Sequence, residues 1–269
     1  MTASPSTTYV ANDGAAYERF IGRWSARLSE AVLDRVGEPP PGRLLDVGAG
    51  TGSMAVALRR RYPERSITAT DVSPAYLAYA RGRPEADGIT FVEDDLCRSA
   101  LPDGAFAAAY AVLVLNFVGD AQLAAREMKR LCRPGGTAVA AGWDFRGGLT
   151  YQRLLWDTAS VLDDKAAAIR DKLFASPLAL PDGMTNLFRD AGFAAVRRDE
   201  ATIRMDFADF ADFWEPLLGG QGPVGGYVAA LAPDDRTRIG EAVRRAYLTG
   251  APDGPRSLTA TAWVVTGTA

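Results

Sequence analysis

The run Leu44-Leu45-Asp46-Val47-Gly48-Ala49-Gly50-Thr51-Gly52 joins a short apolar segment to three alternating glycines, with an acid just before them. Glycine reaches positive φ and lets a ligand approach the backbone without a Cβ in the way. A strand, glycine loop and helix in this order suit a nucleoside cofactor at the carboxyl edge of a sheet. Counted from Gly48, the phosphate-binding pattern G-x-G-x-x-G fails at Ser53. Counted from Gly50, its relaxed form ending in Ala55 fits, so the motif alone leaves a nicotinamide dinucleotide open. Gly48 and Asp46 tilt the balance, because an acid at this strand end repels a pyrophosphate and suits an ammonium or sulfonium group. Asp71, closing the β-branched run Ser66–Thr70, can accept from both hydroxyls of a ribose. Its alternative task, capping the helix that begins at Pro74, falls more naturally to Ser73. A third acidic set, Glu93-Asp94-Asp95-Leu96, follows the next strand. One of its carboxylates is placed to accept from an adenine amino group, although such clusters also occur as solvated turns.

These residues need a parallel sheet to bring them together, and the chain supplies its rhythm. Strands at Arg43–Val47, Ser66–Thr70, Ile89–Val92, Phe106–Leu113 and Thr137–Ala141 alternate with helices at Ser53–Tyr62, Pro74–Arg81 and Asp120–Leu131. That alternation predicts right-handed βαβ units in an α/β, doubly wound sheet. An amphipathic N-terminal helix over 14–36 carries Tyr17, Phe20, Trp24, Leu28, Val32 and Val36 on one face and is stopped by Pro39-Pro40-Pro41-Gly42. Beyond Trp143 the pattern predicts helices at Tyr151–Asp163 and Met184–Ala191 and a strand at Val196–Met205. A helical insertion at 206–248, built around Gly219-Gly220-Gln221-Gly222-Pro223, precedes a last strand at Leu258–Val265. The expected organisation is one domain over 1–269, with its cofactor-binding core at 43–143.

Composition removes whole classes of chemistry. The 269 residues include no histidine, which excludes His-containing zinc sites and any imidazole base. Two cysteines, Cys97 and Cys132, are too few for a disulfide scaffold or a four-thiolate metal site, so no metal is expected. A net charge of -3 argues against a nucleic-acid partner. Met1-Thr2-Ala3-Ser4-Pro5 lacks the layout of a signal peptide, and the most apolar stretch, Ala105–Val118, is short of the roughly 18 residues a membrane span needs. A soluble, cytoplasmic monomer or homodimer with a small-molecule partner is the expectation.

The ordered set Leu45–Gly52, Asp71, Asp95-Leu96 and Arg133-Pro134-Gly135-Gly136-Thr137 resembles the motifs of class I S-adenosylmethionine-dependent methyltransferases. More narrowly, it is similar to the bacterial small-molecule branch grouped with the ubiquinone/menaquinone-biosynthesis (type 11) enzymes. The motif-bearing resemblance covers about Leu44–Trp143 and implies a seven-stranded, mostly parallel Rossmann-like sheet with the final strand antiparallel. It also implies S-adenosyl-L-methionine as the cofactor. Gly48, Ala49, Gly50 and Gly52 would then contact its methionine moiety, with Asp46 near the amino group. Asp71 would hold the ribose, Val72 the adenine ring, Asp95 its amino group and the Leu96 amide a ring nitrogen. Ala111 and Val112 would pass beside the methionyl end. Two departures stand out: Ala107 where many members carry Asp, and Asn116 where the ubiquinone-type enzymes often have His.

Methyl transfer from a sulfonium asks mainly for alignment and exclusion of water, so a missing histidine is compatible with it. The acceptor-side candidates are Asn116, Trp143, Asp144, Tyr151 and Tyr17. Methylation of O, N, S or C of a small molecule is the expected activity. A methyltransferase-fold protein that catalyses another reaction, such as a cyclisation, or only binds the cofactor is the alternative, and an NAD-dependent dehydrogenase a further one. The N-terminal helix and the 206–248 insertion are expected to form a cover over the acceptor site.

Overall fold

Leu44, Leu45, Asp46 and Val47 are all buried, the mark of a strand covered on both faces. This strand, β1 (Leu44–Val47), lies in the interior of the sheet of the computed structural model, in which Tyr9 and residues 13–269 are described. The stretch Met1–Pro5 lies outside the described residues. β1 pairs in parallel with β2 (Ile67–Asp71) on one side and with β4 (Phe106–Val112) on the other. β3 (Ile89–Glu93) flanks β2, and β5 (Cys132–Trp143) flanks β4, again in parallel. β7 (Arg256–Thr268) then inserts antiparallel between β5 and β6 (Ala194–Phe207), completing a seven-stranded sheet of order 3-2-1-4-5-7-6. The order reverses between β1 and β4, and such a reversal opens a crevice at the carboxyl ends of the strands.

The N-terminal segment starts as α1 (Gly14–Tyr17), capped by Asp13, passes through a π-helical turn (Glu18–Gly22) and continues as α2 (Arg23–Val36). Leu28, Val32 and Leu33 of α2 are fully buried, and α2 packs against β6 and against α3 (Ser53–Arg61). α4 (Pro74–Arg81) begins with proline at its first turn and the Ser73 hydroxyl as its cap. α5 (Ala121–Leu131) is capped by Asp120. After β5 come α6 (Thr150–Ala159), α7 (Asp164–Ala175) and α8 (Gly183–Asp190). The insertion holds α9 (Phe210–Trp214), α10 (Gly222–Ala230) and α11 (Pro233–Leu248).

Three differences from the sequence pattern have physical causes. α7 has no counterpart in the hydrophobic periodicity, because only Ala166 of its residues is buried. β6 runs on through Asp206 and Phe207, which pair with Ser257 and Arg256 of β7, so the helical insertion starts at Phe210. β5 begins at Cys132, ahead of the glycine pair that reads as a turn. Both cysteines are free thiols. Among the described residues no helix is long and apolar enough to cross a membrane.

Candidate active site

At the mouth of the β1/β4 crevice the loop after β1 winds through three left-handed glycines, Gly48 at φ 64°, Gly50 at 55° and Gly52 at 88°. A Cβ on Gly48 would lie 2.6 Å from Val114 Cγ2, so the close approach of that loop to the end of β4 requires glycine. The loop is tied to β2 twice. The Ala49 amide donates to the Thr70 carbonyl (2.8 Å), and the Gly50 amide donates to Asp71 Oδ2 (2.8 Å). Asp71 Oδ1 accepts from the Ser73 amide at 2.8 Å. Burial raises the Asp71 carboxyl above its ordinary range, and the amides of Ser73, Gly50 and Val72 pull it back.

Asp46 has a harsher setting. It is 1% exposed, its Oδ2 has no hydrogen-bond partner among the described residues, and burial pushes its carboxyl up to about 8 against the opposing Ala55 amide. Reading Asp46 as a plain anion is therefore incomplete: without a cation beside it, this acid keeps its proton near neutrality.

A cavity of about 160 Å³ lies over these groups. Its floor is Gly48, Ala49, Gly50, Asp46 and Asp71, with Val72, Asp95, Leu96 and Val112 along one wall. Tyr17, Phe20 and Ile21 of the N-terminal segment and Gly222 and Pro223 of the insertion complete it. Its charged lining residues among those described are all acids: Asp46, Asp71, Asp94 and Asp95. Gly52 and Ala111 stand behind the surface, Ala111 fully buried within β4. Asp95 is already engaged, its Oδ1 capping the turn at the Cys97 amide (3.0 Å) and its Oδ2 paired with Arg98 (3.1 Å). A carboxylate has further lone pairs, so these contacts leave room for another donor.

The acceptor-side candidates separate. Trp143 and Tyr17 line the cavity. The Trp143 indole N–H is buried without a partner among the described residues, and the Tyr17 hydroxyl lies 3.2 Å from Ser25 Oγ. Tyr151 is not on the cavity. Its ring is sealed among Phe20, Phe207 and Phe213, and its hydroxyl accepts from Gln152 Nε2 (2.9 Å), which does reach the cavity. Asn116 faces a neighbouring groove, its Oδ1 packed so closely on Gly142 that a Cβ there would lie 2.6 Å away. Asp144 accepts from the amides of Arg146 (3.0 Å) and Gly147 (3.1 Å) and so holds a turn.

Several contributors carry no signal in the sequence pattern. Tyr76, on α4, donates to Gln221 Oε1 at 3.2 Å and stacks at a tilt on Tyr17, 5.3 Å between centroids. Glu18, in the π turn, accepts from the Thr51 hydroxyl of the glycine loop. Leu113, just past β4, adopts a left-handed φ of 63° while its amide donates to the Ala141 carbonyl (2.7 Å). Backbone strain of this kind gathers at functional sites. A capping position marks Tyr76 only as helical, and nothing in a Val-Leu-Val-Leu run announces a left-handed leucine.

A family model described as a methyltransferase domain matches residues 45–140, the span from β1 into β5. Residues 45–140 thus carry the likeness to a methyltransferase domain. It is 34% identical over 119 residues to the demethylmenaquinone methyltransferase of Thermus thermophilus, 44% of this chain and 52% of that protein. The match thus spans about half of the Thermus protein's length. A longer match, 27% identical over 222 residues, covers 80% of this chain and 79% of an uncharacterized protein of Mycobacterium tuberculosis. Among solved structures, the cyclase SpnF matches over 99% of this chain and 87% of its own, with a TM-score of 0.52 and 22% identity, which is a likeness of fold.

The residues of this cavity fit a bound ligand on structural grounds. Buried polar atoms without partners among the described residues, Asp46 Oδ2, Ser53 Oγ and Trp143 Nε1, belong to residues lining one cavity, and orphans of this kind call for a ligand or a function. The Gly48 and Gly50 cradle leaves the backbone open to that cavity.

Proposed function

We propose that this protein transfers a methyl group from S-adenosyl-L-methionine to a small-molecule acceptor with an apolar body. The observation that carries the reading is the charge of the cavity, where Asp46, Asp71, Asp94 and Asp95 converge with no Lys or Arg among the described lining residues. The ionised acids of such a site favour a sulfonium and an ammonium over a pyrophosphate, which supports S-adenosylmethionine over a nicotinamide dinucleotide.

In this reading Asp71 holds the ribose hydroxyls and Val72 packs on the adenine, with Asp95 and the Leu96 amide at its polar edge. Gly48, Ala49 and Gly50 contact the methionyl end, backed by Gly52, Ala111 and Val112, and Asp46 faces the amino group. The cofactor supplies an electrophilic methyl on a positively charged sulfur. Tyr17, Trp143, Gln152 and Phe145 orient the acceptor and keep water out. Alignment of this kind accounts for about 7–11 kcal/mol of a barrier. Burial raises the Tyr17 hydroxyl to about 12, so it donates a hydrogen bond and does not act as a base. Any proton the acceptor loses passes to a lining carboxylate or to water.

The absence of histidine is equally compatible with a second reading, a reaction catalysed by shape alone with the cofactor unconsumed. Calorimetry with S-adenosylmethionine and with NAD tests the site. Incubation with methyl-labelled cofactor and a metabolite extract tests the reaction, because S-adenosylhomocysteine and a labelled product form only in methyl transfer.

A further inference from the structure

A groove of about 990 Å³ adjoins the acidic cavity and shares four walls with it: Phe117, Val118, Phe145 and Pro223. Its far side is the exposed face of α7, where Lys165, Ile169, Lys172 and Ser176 recur at helical spacing, opposite Tyr227 and Leu231 of the insertion. The chain has only three lysines among its 30 basic residues, and two of them stand here. Neither Lys165 nor Lys172 forms a salt bridge among the described residues, although the Lys165 ammonium acts through space on Asp163, and the acids at this rim have closer partners. Asp163 accepts from the Tyr227 hydroxyl (2.7 Å) and the Lys165 amide (3.0 Å), and Asp235 pairs with Arg238 (2.9 Å).

We infer that this groove is the acceptor's binding site and that its ligand is an amphiphile with an apolar body and a terminal acid group held by Lys165 and Lys172. The inference rests on the methyl-transfer reading and names the substrate class for it. The two chambers differ in charge: only acids line the inner cavity, whereas at the rim Lys165, Lys172 and Arg238 outnumber Asp163 and Asp235 by one. An anionic tail is repelled from the inner cavity and drawn to the lysines, so the opposite end of the molecule points at the reacting centre. The apolar walls between the chambers take the body, and their area supplies most of the affinity. Electrostatics sets direction here and burial sets strength. A carboxylate and a phosphate monoester both satisfy the lysines.

Dodecanoate, monododecyl phosphate and dodecanol, titrated by calorimetry below their aggregation limits, test the assignment. Both acids should bind the wild-type chain more tightly than the alcohol, and the tighter of the two identifies the acid group. Lys165→Gln combined with Lys172→Gln should weaken both acids by about fivefold, the scale of two exposed ion pairs, and leave dodecanol unchanged. Gly226→Leu, placed where a Cβ meets nothing nearer than 4.0 Å, should weaken all three while keeping the fold. Equal binding of acids and alcohol, no binding of any, or acid binding indifferent to the lysine pair overturns the proposal. S-adenosylmethionine titrated into the same proteins reads the inner cavity separately. If the wild-type chain fails to bind it, the methyl-transfer reading falls. If it binds but the acids show no preference, only the groove assignment falls.

Discussion

Asp71 Oδ2 accepts the Gly50 amide at 2.8 Å, so the acid at the end of β2 shapes the glycine loop after β1 before any ligand arrives. One carboxylate thus serves as floor of the site and as brace for the loop beside it. Asp71→Ala removes both, and the loss of a buried, charge-assisted acceptor costs about 1.5–3 kcal/mol. Calorimetry should show cofactor affinity reduced tenfold or more, and unchanged affinity would end the assignment of Asp71 to the ribose.

The buried carboxyl of Asp46 makes stability depend on pH in an unusual direction. Between about pH 4 and pH 8 the folded chain keeps this proton while the unfolded chain has released it. The unfolded state then binds fewer protons, so the contribution of Asp46 to stability falls as pH rises through that window and levels off above it. Melting temperatures of wild type and Asp46→Asn, taken from pH 5 to 8, should therefore diverge progressively, with the variant losing less. A cationic ligand reverses the preference by favouring the carboxylate. Cofactor binding at pH 7 should accordingly release a proton in the wild type and none in Asp46→Asn, which calorimetry in buffers of different ionisation heat detects.

The two acids also show how far the residues alone lead. The order of β1, glycine loop, Asp71 and Asp95 is legible because a left-handed loop demands glycine and each acid follows a strand. What faces what is a different matter. Tyr151 and Trp143 look equally suitable as types, yet Tyr151 turns into the aromatic cluster that β6, α9 and the N-terminal segment build, while Trp143 closes the cavity. That division depends on long-range packing no local pattern carries. α7 is invisible for the complementary reason: a helix that buries only one alanine leaves no apolar stripe, although its exposed face forms the groove beside the site.

Trp143 lends itself to a narrower test, because its buried indole N–H has no partner among the described residues. Trp143→Phe keeps an aromatic wall and deletes the donor. If that donor serves a ligand, ligand affinity falls by about 0.5–1.5 kcal/mol while thermal stability holds or improves, since an unpaired buried polar group is gone. A variant that melts lower and binds as before would make the indole a packing residue only.

One contact each fastens the N-terminal segment and the insertion beside the glycine loop: the Thr51 hydroxyl donates to Glu18 of the π turn, and the Tyr76 hydroxyl donates to Gln221 of the insertion. Removing residues 1–36 would not isolate these contacts, because Leu28, Val32 and Leu33 would leave the core with them. Glu18→Ala and Tyr76→Phe cut each fastening and leave the helices in place. Each lost hydrogen bond is worth about 0.5–1.5 kcal/mol, and the two lie on different elements, so their effects should add. If the segments open to exchange ligand, each variant speeds cofactor dissociation several-fold in stopped-flow traces, and turnover rises where product release limits it. If the double variant keeps its fold and its dissociation rate, both segments merely finish the core, and exclusion of water over the site must come from the aromatic walls alone.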